Sequence, residues 1–156
     1  MSMCPNVYPI LGNHDLSAQM VMKSFYRIIG DDIIDQMEKG SLLKLIAGWQ
    51  LDGGQATIDS IKRFSPEEHE AMIDYLEEFV PYECIEVNGH KFLLVHGGIP
   101  FDKRHISIEE QDVAELIFYR PMYDLRYYEN FTLVTGHTPT LTIAPAYHGK
   151  ILKNFI

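Results

Sequence analysis

Residues 7–15 read VYPILGNHD, a short apolar run that ends in Gly12-Asn13-His14-Asp15. The pattern recurs twice, because apolar runs also precede Val95-His96-Gly97-Gly98 and Gly136-His137-Thr138-Pro139. Each segment is typical of a β-strand that ends at a possible metal ligand, beside a glycine that lets the backbone turn. Open α/β sheets build their sites at such strand ends. The three segments therefore predict an α/β protein with a site at one edge of its sheet.

A chain of 156 residues with 46% apolar and 22% charged residues is typical of one globular domain with a buried core. The net charge of −9 argues against nucleic acid as a partner, although an acidic surface still attracts cations. Cys4 and Cys84 fit neither a zinc spacing nor a disulfide framework, so we expect free thiols in a reducing compartment. We recognise no signal peptide and no membrane-spanning run, and the sequence predicts a cytoplasmic protein without membrane association.

Hydrophobic periodicity divides the chain into strands and helices. We expect a hairpin that turns at Asn88-Gly89, with strands at 84–87 and 92–95, and further strands at 7–11, 131–135, 141–146 and 150–156. We expect helices at 16–29, in part of 31–45 with a break at Gly40, at 56–64, from the Ser65 capping box to Pro81, and at 109–118. Strand-like runs lie close to both ends of the chain. They predict a single domain, residues 1–156, that is truncated at both ends.

Three candidate metal ligands follow the apolar runs: Asn13, His96 and His137. They offer one amide oxygen and two imidazoles, a mixture that suits divalent Mn, Fe or Zn. A histidine at the end of one strand is more often structural, and the long separations between these residues are not diagnostic. The prediction of a metal site therefore depends on the three residues together.

His14 is a candidate general acid, since histidine titrates near neutral pH and can protonate a leaving alkoxide. The alternative is a turn residue that caps the following helix. Asp15 is either the N-cap of that helix or a functional carboxylate. His69 is expected on the polar, solvated side of the helix that starts at Ser65. Three tyrosines form either a packed cluster or the wall of a substrate groove: Tyr123, Tyr127 and Tyr128.

Taken together, the motifs resemble those of calcineurin-like metallophosphoesterases. Gly12-Asn13-His14-Asp15, His96-Gly97-Gly98 and Gly136-His137 are similar to the third, fourth and fifth signatures of that family. Further details indicate the branch of phosphoprotein phosphatases and symmetrical dinucleoside tetraphosphatases: Trp49, Asp52-Gly53-Gly54, Thr57 and Pro139. The likeness runs from about residue 5 to the end of the chain.

The resemblance implies a four-layer αββα fold, in which a sandwich of two sheets flanked by helices carries a two-metal site. It implies that one metal is bound by Asn13, His96 and His137 together with an Asp that both metals share. It also implies that His14 is the acid and that Arg120, in Tyr119-Arg120-Pro121, binds phosphate, for which a planar guanidinium is suited. It further implies that Asn13 contacts the substrate. The alternative for Arg120 is a solvated surface residue.

Two family motifs, Asp-x-His and Gly-Asp-x-x-Asp-Arg-Gly, do not occur in this sequence. The chain is therefore expected to lack the N-terminal strands of the sandwich, the shared Asp and the remaining ligands of the second metal. The donors that are present carry no charge, so at most one ion is supported and its affinity is expected to be low.

The implied function is hydrolysis of a phosphate monoester by a metal-activated water, on a phosphoserine or phosphothreonine protein or a small phosphate ester. We expect this activity to be weak in this chain. A dinucleoside tetraphosphatase is the alternative within the family, and a non-catalytic remnant that binds a metal or a partner is the alternative outside it. Unpaired strand edges predict self-association or an N-terminal partner polypeptide.

Overall fold

The computed structural model describes residues 6–24 and 39–143. Within these ranges the protein is mixed α/β, with helices and a small, open three-stranded sheet. The chain divides into two compact units, Met1–Val7 with His14–Phe79 and Tyr8–Asn13 with Val80–Ile156. In the described ranges, no helix has both the length and the apolar character needed to cross a bilayer.

The first unit is helical. Its helices are α1 (Asn13–Met22), α2 (Lys39–Trp49), α3 (Gln55–Ile61) and α4 (Pro66–Glu77), and one π-helical turn over Gln50–Gly54 joins α2 to α3. The helices bury a core of Ala18, Val21, Met22, Trp49, Ile61, Ile73 and Leu76. The predicted capping box of α4 is confirmed, because the Ser65 hydroxyl accepts the Glu68 N–H and the Glu68 carboxylate accepts the Ser65 N–H.

Two glycines allow the bend between α2 and α3. Gly53 has a φ of +94°, in the left-handed region that residues other than glycine rarely adopt. A Cβ atom on Gly54 would lie 2.7 Å from the ring atoms of Trp49, so the indole packs directly against bare backbone. The Trp49 and Gly53-Gly54 pattern thus has a structural purpose, since it places the Trp49 ring in the helical core.

The second unit contains the sheet, with strands β1 (Tyr82–Val87), β2 (His90–Val95) and β3 (Phe131–Thr135) in that order. β1 and β2 form the predicted antiparallel hairpin, and Asn88 and Gly89 both have positive φ as its two-residue turn requires. β3 pairs in parallel with β2. The unit also holds α5 (Val113–Phe118), α6 (Thr140–Ile143) and a core of Leu93, Val95, Ile99, Leu116, Tyr127 and Leu133.

Several predicted elements need correction. The segment 7–11 is not a strand, because only Ile10 forms an isolated parallel bridge, with Val80. Residues 140–143 are helical rather than extended, since Pro139 offers its carbonyl to the Thr142 N–H and hydroxyl. Gly40 is the second residue of α2, and the part of the predicted segment before Lys39 lies outside the described residues. The remaining parts of the elements predicted at 16–29, 31–45 and 141–146, and the strand predicted at 150–156, fall outside the described residues.

Three polar side chains also differ from expectation. Asp15 is not an N-cap, because α1 begins two residues earlier and places Asp15 in its first turn. His14 likewise lies inside the helix rather than in a turn before it. His69 is buried rather than solvated, and its Nδ1 and Nε2 lie 2.9 Å and 2.7 Å from the carbonyl oxygens of Ser65 and Ile61. Hydrogen bonding to backbone carbonyls therefore offsets the cost of burying this ring.

Candidate metal centre

Two parallel strands bring the candidate histidines together. β2 and β3 pair up to Val95 and Thr135, and the pairing extends one step further because the Gly136 N–H donates to the His96 carbonyl oxygen at 2.9 Å. His96 and His137 therefore follow the carboxyl ends of neighbouring strands. This is the sheet edge at which α/β proteins assemble functional side chains.

Asn13 is the first residue of α1 and reaches the same edge from the end of the segment 7–12. That segment is held by a 2.8 Å hydrogen bond from the Leu11 N–H to the Val80 carbonyl oxygen. The Asn13 Oδ1 lies 2.9 Å from His96 Nε2 and 3.2 Å from His137 Nδ1, and these two nitrogens are 3.3 Å apart. Three side chains that are distant in sequence thus converge, and we call them the ligand trio.

The spacing within the ligand trio fits one face of a metal coordination shell. Ligand atoms about 2.1 Å from a divalent ion lie about 3.0 Å apart in an octahedral shell and about 3.4 Å apart in a tetrahedral one. The observed separations of 2.9, 3.2 and 3.3 Å are close to this range. The same spacing also permits both imidazoles to donate to the amide oxygen. Ion binding therefore requires the other tautomers, with the proton on Nδ1 of His96 and on Nε2 of His137.

Gly97 and Gly98 hold the backbone beside His96 in a closely packed position. A Cβ atom on Gly97 would lie 2.7 Å from the carbonyl carbon and oxygen of Ile117, and the Gly97 N–H donates to the Leu116 carbonyl at 2.7 Å. A Cβ atom on Gly98 would lie 2.7 Å from Cδ of Pro121. The two glycines therefore let the His96 loop pack on the end of α5, and this packing fixes the position of the His96 backbone.

His137 adopts a backbone conformation that is unusual for its residue type. Its φ is +56°, and the Thr138 N–H donates across it to the Gly136 carbonyl, closing a three-residue turn. Left-handed conformations of non-glycine residues cost of order 1 kcal/mol and occur preferentially at functional sites. The Phe118 ring lies edge-on to the imidazole, with centroids 6.5 Å apart, and helps to fix its orientation.

The donor set of the ligand trio is electrically neutral. The described residues contain no group of three or more His, Cys, Asp or Glu side chains that could hold an ion. Hence no described carboxylate completes the set with His96 and His137. An ion at this site would keep most of its charge unbalanced, which lowers its affinity.

The other two candidate site residues, Arg120 and His14, are both exposed, and they belong to different units. The Arg120 side chain is exposed, and within the described residues it makes no hydrogen bond with the trio, although its neighbour Pro121 packs on Gly98. His14 belongs to the helical unit, where its exposed side chain lines a cavity of about 230 Å³ with Trp49 and Asp52. The structure thus brings together the three predicted ligands, while the roles of His14 and Arg120 stay predictions.

Two of the three tyrosines, Tyr127 and Tyr128, pack against aromatic rings of the sheet unit. Tyr127 is buried, accepts the Met122 N–H with its hydroxyl at 3.0 Å and lies edge-on to Phe101. Tyr128 stacks on Phe131 with ring centroids 3.9 Å apart. Burial raises the pKa of both phenols, which is the behaviour of core tyrosines.

Sequence reasoning missed two side chains next to His137. The Thr138 hydroxyl is buried and has no hydrogen-bond partner in the described structure, so it is a spare donor beside the trio. Its position in the Gly136-His137-Thr138-Pro139 motif is the signal that could have identified it. Phe118 gave no such signal, because its contact with His137 arises from tertiary structure.

The chain has no significant match among protein-family models, curated protein sequences or solved structures.

Proposed function

We propose that this chain carries the metal-binding part of a metallophosphoesterase, a hydrolase that cleaves phosphate monoesters with a metal-activated water. The observation that supports the proposal most directly is the mutual spacing of 2.9, 3.2 and 3.3 Å among the three potential ligand atoms of Asn13, His96 and His137. We further propose that β1, β2 and β3 belong to one of the two sheets of a four-layer αββα sandwich.

In this proposal each site residue has a defined task. The ligand trio holds one divalent ion through an amide oxygen and two imidazole nitrogens, a mixture that suits Mn²⁺ best and also admits Fe or Zn. A bound ion supplies Lewis acidity toward a phosphoryl oxygen and toward water. Asn13, His14 and Arg120 contact the substrate; His14 donates a proton to the leaving oxygen, and Arg120 offsets charge on the phosphoryl oxygens.

Metal binding is the first part of the proposal to test. Isothermal titration with Mn²⁺ should show binding that His96→Ala weakens by about tenfold or more, because one first-shell ligand is lost. Asn13→Asp keeps the shape of the side chain and adds a negative charge to the trio, so it should strengthen Mn²⁺ binding. His105→Ala removes an exposed histidine of the same unit and should change nothing. If all three variants bind Mn²⁺ as the unaltered chain does, the trio is only a hydrogen-bonded cluster.

Turnover is the second part. With Mn²⁺ and an aryl phosphate we expect slow hydrolysis that His96→Ala abolishes and Asn13→Asp leaves slow, since no second ion is supported. A phosphoserine peptide should be hydrolysed faster than a dinucleoside tetraphosphate. The reverse order would favour the dinucleoside tetraphosphatase as the related activity.

A non-catalytic metal-binding protein is the second candidate. The neutral donor set favours it, because no carboxylate among the described residues joins the two histidines. In that case Mn²⁺ would bind with the variant profile given above, while phosphate release in the unaltered chain would equal that of His96→Ala. The two measurements together therefore separate metal binding from catalysis.

A further inference from the structure

A second cavity, of about 640 Å³, lies on the sheet unit and is lined mainly by apolar side chains. This volume is within the range of small-molecule sites, about 300–1,000 Å³. We call it the hairpin groove, because the β1–β2 hairpin forms one wall and the segment around Ile108 forms another. Residues that matter for its chemistry are Glu86, Lys91, Leu93, Arg104, Ile108 and Tyr128.

The hairpin groove lies at the other end of the sheet from the ligand trio. Lys91 is the second residue of β2 and Phe131 is the first residue of β3, and both line the groove. His96 follows five positions after Lys91, which corresponds to about 16 Å of extended strand. The groove is therefore separate from the candidate metal centre.

The charged side chains of the groove differ in balance from the rest of the protein. Among the described lining residues there are two cations, Lys91 and Arg104, and one carboxylate, Glu86. Lys91 lies opposite Glu86 in the pairing of β1 with β2, so these two charges are neighbours across the strands. Arg104 is the second cation of the lining, on a protein whose net charge is −9. A cation beside an apolar cavity favours an anionic group next to it.

Arg104 is held in place before any ligand arrives. Its guanidinium lies over the Phe101 ring, 3.9 Å from the centroid, and its Nη1 donates to the Phe101 carbonyl oxygen. One of the five N–H donors of the guanidinium is used in this bond, which leaves the others for a ligand. Fixing the side chain in advance lowers the entropy lost on binding.

The electrostatic environment differs between the Cys84 and Arg104 sides of the groove. On the Cys84 side, burial and the negative charges of Glu83 and Glu109 raise the pKa of the Cys84 thiol. On the other side, burial raises the pKa of the Tyr128 phenol, and the positive charge of Arg104 lowers it in part. An anionic group is therefore repelled near Cys84 and attracted near Arg104.

We infer that the hairpin groove binds a fatty-acid carboxylate, with the carboxylate at Arg104 and the alkyl chain along Leu93, Ile108 and Tyr128. Burial of the alkyl chain provides most of the affinity, because each CH₂ group is moved out of water. The charge-assisted bonds from a fixed guanidinium to the carboxylate provide the selectivity for an anionic head.

Decanoate, decanol and decylamine share one alkyl chain and differ in head-group charge, so they test the inference directly. Each is titrated into the full chain, and dissociation constants are obtained from amide shifts in ¹H–¹⁵N NMR spectra. Decanoate should bind at least about tenfold more tightly than decanol, as expected for a hydrogen-bonded charge, and decylamine should bind most weakly. Equal affinities for decanoate and decanol would overturn the inference.

Variants locate the site. Arg104→Gln should remove the preference for decanoate over decanol, whereas Arg104→Lys, which keeps the charge, should retain much of it. Ile108→Asn should weaken both ligands because it makes the wall polar. Arg63→Gln removes an exposed arginine of the helical unit and is the matched control. An Arg104→Gln protein with an unchanged circular dichroism spectrum and unchanged decanoate affinity would also overturn the inference.

Discussion

Replacing Gly97 by alanine should damage the sheet unit and the ligand trio together. The added Cβ atom would meet three backbone atoms of α5, at 2.7 Å from the Ile117 carbonyl carbon and oxygen and 2.9 Å from the Leu116 carbonyl oxygen. These neighbours are main-chain atoms, so no side chain can rotate away to relieve the contact. Either the His96 loop or the end of α5 has to move.

The size of the effect follows from the same distances. Restoring ordinary contact distances of about 3.4 Å requires a displacement of about 0.7 Å, and overpacking of this kind costs about 1–3 kcal/mol. The displacement also stretches the 2.7 Å hydrogen bond from the Gly97 N–H to the Leu116 carbonyl. Loss of that bond adds about 1 kcal/mol. We therefore expect a decrease of about 2–4 kcal/mol in the free energy of unfolding.

Gly136→Ala is a matched control, because Gly136 also adjoins a histidine of the trio. A Cβ atom on Gly136 would meet its nearest neighbours, the His96 carbonyl oxygen and Nδ1, at 3.6 Å and 3.9 Å, which are ordinary contacts. We expect this variant to be near neutral in stability. The same pair of variants should differ in Mn²⁺ affinity. The affinity should fall by about tenfold in Gly97→Ala, because His96 is displaced, and should be unchanged in Gly136→Ala.

The stability of the sheet unit is measured by urea denaturation, with hydrogen exchange of the sheet amides as the probe. Fluorescence of Trp49, the sole tryptophan, reports on the helical unit instead and serves as an internal comparison. If Gly97→Ala and Gly136→Ala have the same stability, the close approach of the His96 loop to α5 does not exist as described. Equal Mn²⁺ affinities would show that this packing does not position His96.

Four further substitutions test the helical unit, each by urea denaturation. Gly48→Ala should stabilise α2 by about 0.5–1 kcal/mol, because its Cβ would have no neighbour within 4 Å. Gly54→Ala should lower the free energy of unfolding by about 1–3 kcal/mol, because its Cβ would clash with the Trp49 ring. Equal effects of the two substitutions would contradict this packing. His69→Ala should cost about 2–4 kcal/mol, since the buried ring lies within hydrogen-bond distance of two carbonyls, and a cost near zero would mean that the ring is solvated. Ser65→Ala should cost about 1 kcal/mol through loss of the N-cap, and an unchanged midpoint would exclude the capping box.

Local signals explain which elements the sequence predicted well. The Asn88-Gly89 turn and the Ser65 capping box are determined by residues within a few positions of each other, and both occur where expected. The apolar run at 7–11 has the composition of a strand but pairs only through Ile10, because Pro9 has no N–H to contribute to a ladder. Residues 141–143 read as extended on composition alone, yet the Pro139 carbonyl starts a helical turn there.

The burial of His69 illustrates a different limit of sequence reasoning. On a helical wheel it belongs to the polar side of α4, and nothing near it in sequence indicates a partner other than the Ser65 carbonyl. The second contact, to the Ile61 carbonyl, depends on how α3 and α4 pack. Tertiary packing thus turns a residue that looks solvated into part of the core, which periodicity cannot foresee.

The ligand trio was predictable as a set of residue types, but its geometry required the fold. The parallel pairing of β2 with β3 places His96 and His137 side by side, and no spacing in the sequence encodes that pairing. Several local costs coincide at this one edge of the sheet. They are a left-handed backbone at His137, two glycines without room for a side chain, and a buried Thr138 hydroxyl that has no partner in the described structure. Proteins retain such departures from local preference mainly at functional sites. The coincidence therefore favours a functional trio over two structural histidines, independently of any likeness to a known family.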